Sequence, residues 1–123
     1  MTFLYVALAG ALGSCLRYAL GLLARELGQL PSVGTWTANL LGCLVMGFVS
    51  QWALERPGFS PELRITLTVG LLGGFTTYSA FNQEVLGWLR EGRTAWALGY
   101  LSLTVVGALG AASLGMWLAR ANA

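Results

Sequence analysis

A run of small, hydroxyl-bearing and aromatic residues interrupts an apolar segment in the second half of the chain. It reads Gly73-Gly74-Phe75-Thr76-Thr77-Tyr78-Ser79-Ala80-Phe81-Asn82. Adjacent glycines and adjacent threonines are poor helix formers, so the run predicts a break in a helix. Inside a membrane, a broken backbone is tolerated where it is buried in protein or lines a watery cavity. The run therefore predicts an ion or substrate site.

The predicted break suits an ion of either sign. A helix that restarts after the break aims unpaired N–H groups and its positive dipole end at the site, which favours an anion. The carbonyls released by the same break can hold a small cation. Tyr78 and Phe81 are three residues apart and share one helix face. Because ring edges are positive, this pair either meets an anion or packs as ordinary aromatic residues do.

Further polar residues fall inside apolar segments, where polar groups are costly and need partners. Asn39 can donate its amide to an anion or hold a neighbouring helix. Arg17 either snorkels to the membrane interface or raises the potential at a pore mouth, and Glu84 either pairs with an arginine or reaches water. Tyr100 and Thr104 lie four residues apart and can continue a hydroxyl-lined track, although threonine also bonds back to its own helix.

The composition indicates an integral membrane protein. Of the 123 residues, 56% are hydrophobic and 10% are charged, whereas a soluble domain has about 25% charged residues. The net charge of +2 is too small to suggest nucleic-acid binding. The chain has no histidine, its two cysteines lie in apolar stretches, and Ser79 has no base nearby in the sequence to activate it. We therefore expect neither an enzyme nor a nucleic-acid-binding protein.

Four apolar segments predict an all-α integral membrane protein with four transmembrane helices in a single domain. They cover residues 2–24, 33–54, 63–90 and 94–118. The third, at about 28 residues, would be about 42 Å long as one helix, against a hydrocarbon core of about 30 Å, so a break or a tilt is needed. Small-residue stripes, such as Gly107, Ala111 and Gly115, suit either internal packing or a dimer interface.

Arginines are balanced between the two predicted sides of the membrane. Three belong to the side of the second loop and three to the side of the first and third loops: Arg56, Arg64 and Arg120 against Arg25, Arg90 and Arg93. The positive-inside rule therefore gives almost no orientation. This balance predicts insertion in both orientations and an antiparallel homodimer, the alternative being a weak bias set by another factor.

Taken together, these motifs resemble a known family. The run from Gly73 to Phe81 resembles the GGFTTFSTF signature of the Fluc family of small dimeric fluoride ion channels. Two more motifs agree with that family: Gly10-Ala11-Leu12-Gly13-Ser14-Cys15-Leu16-Arg17-Tyr18 and Thr37-Ala38-Asn39-Leu40-Leu41-Gly42. The four-span size agrees as well, so the resemblance covers essentially the whole chain. The resemblance implies a passive fluoride-selective channel that exports fluoride across the cytoplasmic (inner) membrane and protects against its toxicity. It also implies a dual-topology antiparallel homodimer in the lipid bilayer, with a break in the third helix.

The resemblance further implies roles for single residues in the anion pathway. Asn39 matches the fluoride-coordinating asparagine, Tyr78 and Phe81 match the two pore-lining aromatics, and Ser79 matches the adjacent hydroxyl. Arg17 matches an arginine near the aqueous vestibule. Three others match positions of the polar track and the pore exit: Tyr100, Thr104 and Glu84.

The resemblance also implies a cofactor. Backbone carbonyls of Gly73 and Thr76, from both subunits, would hold a structural sodium ion (Na+) at the dimer centre. Two departures from the family pattern are visible. Tyr78 stands where phenylalanine is common and adds a hydroxyl, and Ala80 stands where threonine is common and removes one.

Two other classes of protein share this size and hydropathy. A small dual-topology multidrug transporter would carry a membrane-embedded carboxylate in its first span, and residues 1–24 contain no Asp or Glu. A non-transporting membrane assembly subunit would explain the small-residue stripes. It would leave the broken third span and its aromatic pair without a reason.

Overall fold

The computed structural model describes residues 1–122 as helices joined by short connections, with no strand in that range. In chain order the helices are α1 (Thr2–Glu26), α2 (Pro31–Leu54), α3 (Pro61–Ile65), a π-helical segment (Thr66–Leu72), α4 (Gly73–Phe75), α5 (Tyr78–Arg90) and α6 (Thr94–Ala121). The expectation of an all-α protein is confirmed.

Three helices, α1, α2 and α6, are long and apolar enough to cross a membrane. Their large apolar side chains point mostly outward, as at Phe3, which is 94% exposed, and Val106, which is 70% exposed. A soluble monomer rarely exposes apolar patches of this extent. The fold is therefore that of a membrane protein, as the composition indicates.

The third predicted span is divided into two helical halves. Its first half runs from α3 through the π-helical segment to α4, and its second half is α5. Between them, Thr76 and Thr77 have extended backbone, with φ, ψ of −85°, 156° and −150°, 120°. The break thus lies inside the run of glycines and threonines that predicts it. The adjoining π-helical turns are a rare conformation that is frequently found at functional sites.

Glycines set the distances between helices. A Cβ at Gly13 of α1 would overlap the Leu71 carbonyl, and a Cβ at Gly74 would overlap the Gly10 carbonyl. On α6, a Cβ at Gly115 would overlap the Leu44 carbonyl of α2, and Gly107 faces the Leu40 side chain. Gly107 and Gly115 therefore pack against α2 within one protomer. At these two positions the small-residue stripe of the last span is used for internal packing and not for a dimer interface.

Gly115→Ala is expected to destabilise the fold by about 1–3 kcal/mol, the usual cost of overpacking. The added methyl would meet the backbone of α2 at Leu44 and Phe48, which cannot rotate away as a side chain can. Gly110→Ala is the matched control, because nothing lies within 4 Å of a Cβ there. Thermal unfolding in detergent measures both variants. Equal melting temperatures for the two would contradict this packing.

Candidate functional site

Asn39 of α2 holds the break through both backbone groups of Thr77. The Thr77 N–H donates to Asn39 Oδ1 at 2.7 Å, and Asn39 Nδ2 donates to the Thr77 carbonyl at 3.0 Å. Asn39 is only 9% exposed. Of the two interpretations of Asn39, holding a neighbouring segment is observed. A side-chain amide has two N–H donors, and no group within residues 1–122 accepts from the second one.

Two backbone N–H groups at the break donate to side chains instead of to the helix. In a continuous helix, the Thr77 N–H would donate to the Gly73 carbonyl and the Ala80 N–H to the Thr76 carbonyl. The first donates to Asn39, and the second donates to Thr77 Oγ1 at 3.2 Å, which caps α5. As a result, no donor in the described chain pairs with the carbonyls of Gly73 and Thr76.

The hydroxyls of Thr77 and Ser79 lie 3.2 Å apart at the start of α5. Ser79 is exposed on the protomer surface, as is Gly73, whereas Thr76 and Thr77 are half-buried. The Thr76 hydroxyl donates back to the Leu72 carbonyl at 2.9 Å, which closes the end of the first half of the span. The break therefore presents hydroxyl and carbonyl oxygens together.

A groove of about 410 Å³ opens beside the break. Its polar lining comes from Asn39 of α2, Thr76 and Thr77 at the break, and Thr104 of α6. Its aromatic lining comes from Tyr78 and Phe81 of α5. Thr104 is 6% exposed, and its Oγ1 has no hydrogen-bond partner within the described residues. No charged side chain of residues 1–122 lines this groove. The structure thus brings together five of the predicted site residues. Four belong to the predicted anion pathway, and the fifth, Thr76, to the predicted sodium site.

A row of aromatic rings leads away from the break along α5 and α6. The ring centroids of Tyr78 and Phe81 are 5.9 Å apart, those of Phe81 and Tyr100 are 5.3 Å apart, and those of Tyr100 and Trp88 are 5.1 Å apart. Phe81 is 5% exposed and belongs to the buried core, whereas Tyr78 is 76% exposed. Phe81 therefore both packs within the protomer and lines the groove.

Glu84 lies beyond Phe81 and is held by two hydroxyls. Its Oε1 accepts from Thr35 Oγ1 at 2.7 Å, and its Oε2 accepts from the Tyr100 hydroxyl at 2.6 Å. The Tyr100 hydroxyl is also 3.3 Å from the Ser32 carbonyl. Of the two alternatives for Glu84, pairing with an arginine is not seen among residues 1–122, because α2 and α6 supply hydroxyls at this point instead.

Arg17 lies on the other side of the break, away from the groove. Its Nε donates to the Gly74 carbonyl at 3.3 Å, and the Ser14 hydroxyl donates to the same carbonyl at 3.4 Å. Arg17 is half-buried against α4. Arg17 is therefore not among the residues that line the groove with Asn39, Phe81 and Thr104.

The chain is similar in sequence to known proteins along most of its length. The family model described as CrcB-like protein, Camphor Resistance (CrcB), matches residues 4–116. The chain belongs to the CrcB-like family. Its relatives include proteins named fluoride-specific ion channel FluC, which align along nearly their whole length.

Three CrcB-like relatives illustrate the similarity. The protein from Hyphomonas neptunium is 45% identical over 120 residues, which is 96% of this chain and 94% of that protein. The one from Moorella thermoacetica, named FluC 1, is 43% identical over 122 residues, or 98% and 86% of the two chains. The one from Pseudomonas aeruginosa is 40% identical over 116 residues, or 94% and 91%.

Two residues of this CrcB-like chain lie at the site although they are not among the site residues predicted from the sequence. Thr77 is the residue that Asn39 holds, and Thr35 is one partner of Glu84. A signal for Thr35 is present in the sequence. Ser32, Thr35 and Asn39 follow one another at spacings of three and four, which places them on one face of α2.

Proposed function

We propose that this protein is a passive fluoride-selective ion channel of the cytoplasmic (inner) membrane, and not an enzyme. The observation that carries the proposal is the broken third span, held by Asn39 beside a groove that contains Phe81 and Thr104. The names of the relatives, which cover this chain almost completely, support the same function. No contact among residues 1–122 favours the multidrug transporter or the assembly subunit.

The groove has the chemistry that a small, strongly hydrated anion needs. Fluoride must exchange its water for other donors, yet it must also leave, so fixed positive charge in the narrow part would hold it too tightly. The hydroxyl of Thr104 has no partner within the described chain, and Asn39 uses one of its two N–H donors, on the Thr77 carbonyl, which leaves the second for an ion. The rings of Tyr78 and Phe81 add positive edges. The lining therefore offers neutral donors only.

A route continues from the groove toward the start of α2. Asn39, Thr35 and Ser32 follow one face of α2 over about 10 Å at 1.5 Å per residue, and Tyr100 approaches this face from α6. Fluoride would pass from Asn39 and Thr104, along Phe81, toward Thr35 and Tyr100. The single O–H of each of these two residues bonds Glu84 at rest and would turn to the ion as it passes. Glu84 would stand at the exit, with its charge partly offset by those two hydroxyls.

We further propose that the channel is an antiparallel, dual-topology homodimer with four spans in each copy. Three features of the protomer support a second copy. Tyr78, Ser79 and Gly73 are exposed although they belong to the motif at the break. The groove is open along one side, and the arginines are balanced between the two predicted sides of the membrane. A partner in the opposite orientation would cover the exposed motif and complete the lining of two pores.

A structural sodium ion fits the same arrangement. Hard cations take oxygen ligands, and carbonyls released at a helix break coordinate Na+ in other membrane proteins. The carbonyls of Gly73 and Thr76 have lost their helical donors to Asn39 and Thr77. One protomer would supply two oxygens and its partner two more. The ion would hold the two breaks together.

Tyr100→Phe is expected to slow fluoride efflux about tenfold, because a hydrogen bond to a charged group contributes about 1.5–3 kcal/mol. The change removes the hydroxyl that donates to Glu84 at 2.6 Å and leaves the ring in its contacts with Phe81 and Trp88. A matched control is Tyr18→Phe on the exposed side of α1. Unchanged efflux in Tyr100→Phe would place the route elsewhere.

The function is tested with purified protein in liposomes loaded with potassium fluoride and potassium chloride. Valinomycin carries potassium out to balance charge, and ion-selective electrodes follow both anions. We expect rapid loss of fluoride and retention of chloride. Equal loss of both anions, or loss of neither from a folded preparation, would contradict the proposal.

A further inference from the structure

The face of α1 that carries Arg17 lies directly on the first half of the broken span. A Cβ at Gly74 would overlap the Gly10 carbonyl and would come within 3.1 Å of the Gly10 Cα. A Cβ at Gly13 would overlap the Leu71 carbonyl. These contacts are between backbones, so the distance from α1 to α4 is fixed. Ser14 and Arg17 continue the same face of α1 by one turn.

The Gly74 carbonyl is one of the groups that the break leaves without a helical donor. In a continuous helix it would accept from the Tyr78 N–H, but Tyr78 begins α5 on the far side of the break. Arg17 Nε and the Ser14 hydroxyl donate to it at 3.3 and 3.4 Å. A carbonyl oxygen has two lone pairs, so both donors can be accommodated. The side chains of α1 thus replace the missing N–H.

Arg17 makes this contact through its Nε–H, as a hydrogen bond to a carbonyl and not as an ion pair. The one salt bridge in residues 1–122 joins Arg93 and Glu91. Arg17 is also absent from the residues that line the groove. Within residues 1–122 its charged group therefore has neither a carboxylate partner nor a place along the groove, whereas its Nε–H has a defined acceptor at the break.

We infer that Arg17, with Ser14, is a positioning residue that fixes the break from the α1 side through its Nε–H donor, while Asn39 fixes it from the α2 side. This inference rests on the proposed channel function. The two attachments are on Gly74 and Thr77 and bracket Phe75 and Thr76. Together they set the direction of the Gly73 and Thr76 carbonyls and the start of α5, which carries Tyr78 and Phe81.

Two substitutions separate the donor of Arg17 from its charge. In Arg17→Gln, the Nε2 of glutamine is the same number of bonds from the Cα as the arginine Nε, so an N–H donor is kept and the charge is lost. In Arg17→Lys, a methylene occupies that position, so the charge is kept and the donor is displaced. A role in raising the potential at a pore mouth predicts that lysine preserves transport better than glutamine. Positioning predicts the reverse order.

The experiment measures fluoride efflux from liposomes for the wild type, Arg17→Gln, Arg17→Lys and Arg17→Met. We expect glutamine to stay within about threefold of the wild type, and lysine and methionine to lose about tenfold or more, the size of one lost hydrogen bond. The order should be the same at low and high salt, because screening weakens a charge effect and leaves a hydrogen bond in place. Efflux from Arg17→Lys equal to or above that from Arg17→Gln would overturn the inference.

A second readout does not depend on transport. Hydrogen exchange of the peptide that spans residues 73–80 reports how firmly the break is held. We expect faster exchange in Arg17→Lys and Arg17→Met than in Arg17→Gln and the wild type, with Ser14→Ala between them. If the wild type transported no fluoride, the proposed function would be wrong, whereas the exchange pattern would still test whether Arg17 holds the break. Equal exchange in all variants would overturn the positioning role.

Discussion

Asn39→Asp is expected to abolish fluoride transport, with efflux slowed about a hundredfold or more. The substitution keeps an acceptor for the Thr77 N–H but turns the donor to the Thr77 carbonyl into a second acceptor. An unsatisfied buried polar group costs about 1–3 kcal/mol, and each 1.4 kcal/mol is a factor of about ten. The carboxylate would also place negative charge in a groove that is otherwise uncharged and would repel an anion.

Asn122→Asp is the matched control, since it makes the same chemical change at the exposed residue that follows α6. Efflux is measured on protein of the correct oligomeric size, so that an effect on folding is separated from an effect on the pore. The control should transport as the wild type does. Wild-type efflux in Asn39→Asp would show that neither the bond to the Thr77 carbonyl nor the second amide donor is needed.

Phe81→Leu should reduce fluoride efflux at least about tenfold while the protein remains folded. Leucine keeps an apolar side chain in the cluster with Val85 and Ala97, and a hydrophobic replacement of this kind costs about 1–3 kcal/mol. It removes the ring edge that faces the groove and the ring contacts with Tyr78 and Tyr100. If Phe81 only packed, Phe81→Leu would lower the stability of the protein, and fluoride efflux would fall only as far as the smaller folded fraction explains.

Phe48→Leu on α2 provides the comparison, because Phe48 is half-buried and does not line the groove. Melting temperature and efflux are measured for both variants. We expect similar losses of stability and a loss of transport for Phe81→Leu alone. The pore role of Phe81 would be wrong if both variants transported fluoride at the wild-type rate.

The local features of this fold could be predicted from the sequence because their causes lie in adjacent residues. The glycines and threonines from Gly73 to Thr77 disfavour a continuous helix wherever the chain places them, and the structure has its break at Thr76 and Thr77. Ser60 accepts the Leu63 N–H at the start of α3, as a serine before a helix favours. The apolar lengths of α1, α2 and α6 follow from composition in the same way.

The partners of the polar side chains could not be predicted in this way. Asn39 and Thr77 are far apart in the chain, and the choice between donating to an anion and holding a neighbour depends on which helix packs against α2. Glu84 meets Thr35 and Tyr100 only because α2 and α6 converge on α5. Arg17 meets Gly74 because glycines let α1 approach α4 closely. Each pairing is a consequence of tertiary packing.

The central claim, a passive pore that selects fluoride, is tested most directly by a reversal potential. Purified protein is placed in a planar bilayer with equal sodium on both sides and a tenfold gradient of fluoride, with chloride making up the difference in anions. A fluoride-selective channel predicts reversal near the fluoride equilibrium potential, about 59 mV in magnitude for a tenfold gradient of a singly charged ion. Current that reverses near zero, or at the potential set by chloride, would contradict the account.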